Sequence, residues 1–352
     1  MYSCMVIITL AMILKTIILL LLHTTLINAT TSSSIPSSQL RRKMTTAAAQ
    51  VDPSIYGKSG DISKHLEGVK KQYDTQNKIE FYKQVMGDGT ANIHFGKWDN
   101  VDLDQEGAYG KASEQMTDYM FQLVSGLCDC EGDFKYVDLG SGTGAAALRL
   151  VKMHPHIKHA TCLNLCDEQN ALATKEAAEA GLASRIEVVT GTYEDAPLED
   201  DKYDACFSQD AFVHAFEKKQ AFKEAFRITK PGGAFVWCDL MCGSGEGVSD
   251  EELQTFAATN MVNDWLSPEE NVAACQAVGW EDVKFVDLTA DIRISFQLML
   301  KKVEKILADG NPAGIDEKLL ASYKTNLGNR ITQVDRGVFK WGVVHAKKPA
   351  TK

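Results

Sequence analysis

The sequence predicts an α/β fold: a doubly wound, mostly parallel sheet of seven strands with a helical lid on its N-terminal side. Three observations carry this expectation. Beyond Asp138, short apolar runs alternate with segments of helical spacing. The stretch DLGSGTGA directly follows the first apolar run and opens a helix. Upstream, residues 51–125 are helical and aromatic-rich, with no strand rhythm.

The first strand is YVDL (136–139). AAALRLVKMH (145–154) follows with helical spacing and stops at Pro155, which cannot continue a helix. KHATCLNL (158–165) is the second strand. DEQNALATKEAAEAGL (167–182) is a helix, with Asp167 placed to cap it and Gly181 near its end. RIEVVT (185–190) and YDACFS (203–208) are the third and fourth strands. KKQAFKEAFRIT (218–229) sets Phe222, Ala225 and Phe226 on one face and is stopped by KPGG. AFVWCDL (234–240), VKFVDLT (283–289) and FKWGVVHAKK (339–348) complete the sheet, with the helical ISFQLMLKKVEKILADG between the last two. The expected divisions are a leader and linker at 1–50, the lid at 51–125, and a core at 126–352 with a substrate-side insertion at 246–335.

With 352 residues, 45% of them hydrophobic and 24% charged, the composition is that of an ordinary globular chain. A net charge of −10 without a long basic run argues against nucleic acid as a partner, since neutralising phosphates needs clustered Lys and Arg. Nine cysteines do not form a disulfide framework. Cys162, Cys206 and Cys238 fall inside apolar strands, where a thiol behaves as a small hydrophobe. Cys128 and Cys130 have the wrong spacing for a zinc knuckle, and no Cys/His cluster completes a metal site. Residues 5–22, MVIITLAMILKTIILLLL, read as a targeting segment or a membrane anchor, since about 18 apolar residues just span a bilayer. A signal cut after Ala29, a transit peptide, and a start at Met44 that leaves a cytoplasmic protein all stay open.

Gly140, Gly142 and Gly144 let the loop turn tightly and approach a ligand closely, with Ser141 between them. Ligands bind such Rossmann-like sheets at the carboxyl ends of the strands. The same glycines also satisfy the dinucleotide fingerprint, which wants an acid about 20 residues further on to hold a ribose. That position holds Asn164, whose side-chain carbonyl can accept from a ribose diol without a formal charge. S-adenosylmethionine carries no phosphate, and Asp138 suits its amino group. Thr192, Tyr193 and Glu194 are placed to surround an adenine, and Gln209 to lie beside the cofactor.

This order of elements resembles the class I S-adenosylmethionine-dependent methyltransferases. Within them, CLNLCDEQN (162–170), FSQDAFVHAF (207–216), NIHFGKW (92–98) and GVFKWGVVHAKK (337–348) are similar to the sarcosine/dimethylglycine N-methyltransferases, which make glycine betaine, and to the related phosphoethanolamine methyltransferases. The likeness runs from Tyr73 to Lys348. It implies S-adenosylmethionine as cofactor, Asn164 and Gln169 on the cofactor side, and Asp210 and His214 at the acceptor. It also implies that Tyr73 closes over the site. If the stretch after the fourth strand is helical, the i, i+4 spacing of Asp210 and His214 sets both on one side. Aromatic faces hold methylated ammonium groups, so Tyr82, Trp98 and Phe212 join Tyr73 as candidates, each weighed against core packing. His94 is a further acceptor-side candidate from the lid. Two segments depart from the family pattern: Met86-Gly87-Asp88 replaces Trp-Gly-Gly, and DLMCG replaces a segment with Gln. Both lie where an acceptor is held. A small amine is the expected acceptor. A thioether acid and a phosphobase are the other methyl-transfer readings, and an NAD-dependent dehydrogenase and a non-catalytic scaffold are the distant ones.

Overall fold

The computed structural model describes residues 60–350, apart from 74–75, 89–92 and 313. The leader and the first nine residues of the expected lid lie outside the described residues. Among the described residues, no helix is long and apolar enough to cross a membrane.

The strands are β1 (Phe134–Leu139), β2 (Ile157–Asn164), β3 (Ile186–Thr190), β4 (Tyr203–Gln209), β5 (Thr229–Cys242), β6 (Glu281–Asp287) and β7 (Phe339–Lys347). They form one sheet in the order β3-β2-β1-β4-β5-β7-β6. All neighbours pair in parallel except β7, which runs antiparallel to both β5 and β6. Strand order reverses direction between β1 and β4, so a crevice opens beyond their carboxyl ends. The lengthened β5 corrects one expectation. Lys230-Pro231-Gly232-Gly233 does not sit outside the sheet after a helix, because the strand already begins at Thr229.

The central strands are buried on both faces, and their side chains divide with period two. Val236, Cys238 and Val343 enter one core, while Phe235, Trp237 and Val344 enter the other. The first core is covered by α3 (Ala108–Leu127) and α4 (Ala145–Met153), and the second by α6 (Lys218–Ile228) and α8 (Pro268–Val278). Helix α3 buries Tyr109, Ala112, Met116, Met120 and Val124, a stripe at helical spacing that faces the sheet. It is therefore a layer of the core and not part of the lid. Helix α5 (Asp167–Glu179) starts from Cys166 with no side-chain cap. Asp167 sits in its first turn instead and pairs with Lys70 at 2.5 Å.

The lid proper is α1 (Ile62–Tyr73), α2 (Gln76–Val85) and the loop that carries Ile93 to Trp98. Beyond β5 come α7 (Asp250–Thr259), α9 (Thr289–Ala308) and α10 (Glu317–Asp335). The expected insertion is thus split: α7, α9 and α10 reach the crevice, whereas α8 and β6 complete the helix layer and the sheet.

Candidate active site

A cavity of about 820 Å³ lies over the carboxyl ends of β1, β2, β4 and β5, a size suited to a cofactor with a small second ligand. Its floor begins at the glycine loop. Gly140, Gly142 and Gly144 all have positive φ, and the Gly140 and Ser141 amides donate to Leu163 O, which fixes the turn. A Cβ on Gly142 would meet nothing within 4 Å, so the loop presents bare backbone to open space there. Asn164 and Gln169 line the same end of the cavity. The Asn164 amide donates to Gly142 O (3.4 Å) and Gln169 Oε1 (3.1 Å), which leaves its carbonyl oxygen to offer a ligand. Thr192, Tyr193 and Gln209 also line it, and Tyr193 is fixed by donating to Ala211 O at 3.0 Å.

Buried polar atoms without a protein partner gather at this end: Asp138 Oδ1, Ser141 Oγ and Gln209 Nε2. Leaving such groups unsatisfied costs about 1–3 kcal/mol each, and Ser141 and Gln209, which line the cavity, mark where a polar ligand docks. Asp138 stands just behind the loop and not on the cavity wall, and burial pushes its carboxyl up to about 7. This donor set suits S-adenosylmethionine, with Asp138 and the loop toward its amino acid end and Asn164 toward its ribose.

At the other end, Asp210 follows β4 directly, with φ of 54° turning its carboxylate toward the cavity. Its Oδ1 accepts from Trp341 Nε1 (2.9 Å) and its Oδ2 from the Phe95 amide (3.2 Å). His94 Nδ1 lies 3.8 Å from Oδ2, but burial lowers that imidazole to about 4, so the contact is not an ion pair near neutral pH. The stretch after Asp210 is a single 3₁₀ turn, Phe212–His214, not an α-helix. The i, i+4 argument therefore fails, and His214 reaches the cavity by another route. Its Nε2 accepts from Tyr73 Oη at 2.7 Å, and its Nδ1 lies 3.3 Å from Met261 O. Donation from Nδ1 to that carbonyl defines a neutral tautomer, and burial keeps it neutral by lowering its pKa to about 4. His214 O in turn receives His65 Nε2 at 2.8 Å. Lid helix α1 is thus fastened by His65, Lys70 and Tyr73, and Gly68 packs closely on Met261.

Three expected site residues are placed elsewhere. Trp98 is buried, donates from Nε1 to Ser295 Oγ at 2.9 Å and stacks edge-on against Tyr109, so it anchors the lid loop. Phe212 packs among Tyr193, Phe222, Phe235 and Trp237 in the second core. Glu194 accepts from the Phe216 and Glu217 amides (2.9 and 2.6 Å), which satisfies backbone donors at the start of α6. Each is drawn away because a larger apolar face or a set of orphan amides outcompetes the cavity. Trp98→Ala should cost about 3–5 kcal/mol of stability while leaving cofactor affinity unchanged. Urea unfolding and calorimetry check the two halves separately.

Among the cavity residues that escaped the sequence reading are Asp239 and Arg330. Asp239 closes the continuous buried run of β5, lines the cavity and is raised to about 7 by burial. Its signal was an acid closing an apolar run, the same pattern as Asp138. Arg330 on α10 also lines the cavity, without a local signal. Tyr82 is there as expected, its hydroxyl 2.9 Å from that of Tyr323.

An open glycine loop at a switch point, an amide where a dinucleotide fold wants an acid, and a lidded second end of the cavity fit an S-adenosylmethionine-dependent methyltransferase, and residues 137–237 match the family described as a methyltransferase domain. The NAD-dependent reading falls with that match. Among named relatives, the chain is 27% identical to a glycine/sarcosine/dimethylglycine N-methyltransferase of Actinopolyspora halophila over 81% of its own length, and spans 48% of that protein. It is 28% identical to a sarcosine/dimethylglycine N-methyltransferase of Aphanothece halophytica, covering 77% of this chain and 96% of that one. A solved structure from Galdieria sulphuraria, assigned as a sarcosine dimethylglycine methyltransferase, superposes with a TM-score of 0.69 at 25% identity, covering 78% of this chain and 99% of that one.

Proposed function

We propose that the protein methylates the nitrogen of sarcosine and dimethylglycine, building the trimethylated amino acid glycine betaine. The observation that carries this reading is the arrangement of Asp210 and the Tyr73–His214 pair around one cavity with the open glycine loop. The names of the relatives support it.

S-adenosylmethionine, when bound, supplies an electrophilic methyl on a sulfonium. The chain's own work is alignment, which is worth several kcal/mol of an in-line displacement. With the cofactor held by the glycine loop and Asn164, an amine lone pair would take the methyl as its bond to sulfur breaks, and positive charge would move onto nitrogen. Asp210 faces that charge. Because Tyr73 commits its proton to His214, its oxygen is left to accept the single N–H of neutral sarcosine and turn the lone pair toward the methyl; dimethylglycine has no N–H in its reactive form, and there the same oxygen faces the positive charge that develops on nitrogen. His214 thus acts as a positioning residue through Tyr73.

His214→Ala should lower kcat roughly 100-fold with cofactor affinity nearly intact. Tyr73→Phe should reproduce most of that loss, whereas an unaffected Tyr73→Phe would remove the relay from the mechanism. The function itself is tested with labelled cofactor and a panel of amines, thioether acids and phosphobases. Preference for dimethylglycine or sarcosine is the expected result. A thioether acid preferred over every amine would overturn nitrogen as the nucleophile and keep the fold and cofactor.

A further inference from the structure

The described arginines are spent, with one exception. Arg149, Arg227, Arg293 and Arg336 pair with carboxylates, and Arg185 donates to backbone carbonyls. Arg330 has no carboxylate partner among the described residues. Its guanidinium lies 4.6 Å from the centre of the Phe256 ring and 5.9 Å from that of Phe296, and one nitrogen donates to Asn260 Oδ1. The aromatic faces hold the group flat and in place, and its remaining N–H donors are left at the cavity wall that α10 contributes. Burial pulls its pKa down to about 10, so the charge is held there at a cost that an anion would offset. The opposite sign sits at the strand ends, where Asp210 and Asp239 line the same cavity.

We propose that Arg330 is the anchor for the acceptor's carboxylate, so that the chamber selects small amino acids by pairing their two ends with two fixed charges. This rests on the N-methyltransferase reading above and adds to it the residue that sets the substrate class. A guanidinium offers parallel N–H donors that match a carboxylate in a fork. One unpaired cation balances one negative charge. A phosphobase would bring a second, in a chamber that already holds Asp210 and Asp239, and would leave it unmatched.

The test uses the full chain and the variants Arg330→Gln and Arg330→Lys. The KM for dimethylglycine should rise roughly 100-fold in Arg330→Gln, with kcat changed far less and cofactor affinity retained. Arg330→Lys should recover part of the loss. Dimethylaminoethanol, which lacks the carboxylate, should be a poor acceptor for the intact enzyme and lose nothing further in Arg330→Gln. An unchanged KM for dimethylglycine in a folded Arg330→Gln that still binds cofactor overturns the assignment while the nitrogen reading stands. If the intact enzyme prefers a thioether acid and Arg330→Gln loses it, the anchor stands and the nitrogen reading falls. Phosphoethanolamine accepted as well as either acid, or no acid accepted at all, overturns the anchor.

Discussion

Gly142→Val is expected to abolish S-adenosylmethionine binding in a protein that still folds. The three loop glycines all have positive φ but differ in what surrounds them. A Cβ on Gly140 would lie 2.4 Å from Ala211 Cβ, and one on Gly144 would lie 3.0 Å from Ala173 Cβ, so substitutions there strain the protein itself. At Gly142 nothing of the protein lies within 4 Å, and a side chain would project into the space a cofactor needs. The left-handed backbone adds roughly 1–2 kcal/mol against a residue with a Cβ, too little to unfold an ordinary domain. Circular dichroism and a thermal melt should therefore be near normal while calorimetry shows no binding of S-adenosylhomocysteine. Retained micromolar binding would mean that the ligand does not pass over this loop.

Asp210→Asn should lower turnover on dimethylglycine about 1,000-fold, combining lost charge stabilisation with lost proton acceptance. The amide keeps the shape of the side chain and can still accept from Trp341 Nε1, which limits the structural damage. What it cannot do is balance the ammonium that forms as the methyl transfers. The pH dependence follows from the same group. Burial raises Asp210 to about 6 and Asp239 to about 7, so both hold protons more tightly than in the unfolded chain. The ionised form that the reaction needs appears only as pH climbs through that window. Activity should rise between pH 6 and 7, and the Asp210 part of that rise should vanish in Asp210→Asn. The linkage on stability has the opposite sign. In this window the native state binds protons that the unfolded chain has already released, so this contribution to stability falls as pH rises. A loss of less than tenfold in Asp210→Asn, with an unchanged pH profile, would remove this carboxylate from the chemistry.

The strands were legible because their signal is local. Continuous apolar runs such as AFVWCDL are long enough to cross a sheet covered on both faces, and the glycine loop directly follows one of them. Gly142, Asn164, Tyr193 and Gln209, which line the cavity, could be picked out for the same reason, since each follows a strand end or closes it, while Gln169 came from the family resemblance alone. Trp98, Phe212 and Glu194 were misplaced because an aromatic ring or an acid in a loop carries no mark of which surface will bury it. For Trp98 the deciding partner, Ser295, is distant in sequence. Helix α3 was assigned to the lid because its amphipathic stripe says that it packs, not on what.

The sequence by itself determined the alternating α/β fold, the glycine loop, and an amide, Asn164, at the position where a dinucleotide fold wants an acid. These are properties of short segments, fixed by backbone freedom, periodicity and the chemistry of single side chains. Only the tertiary structure decided which charges share the acceptor chamber. Asp210 owes its orientation to Trp341 on β7 and Phe95 on the lid, Tyr73 owes its donor direction to His214, and Arg330 arrives from a helix far along the chain. Chain separation carries no information about such meetings. They follow from how the lid and the helices after β5 pack over the sheet, where burial makes each charge costly and so restricts what can be bound.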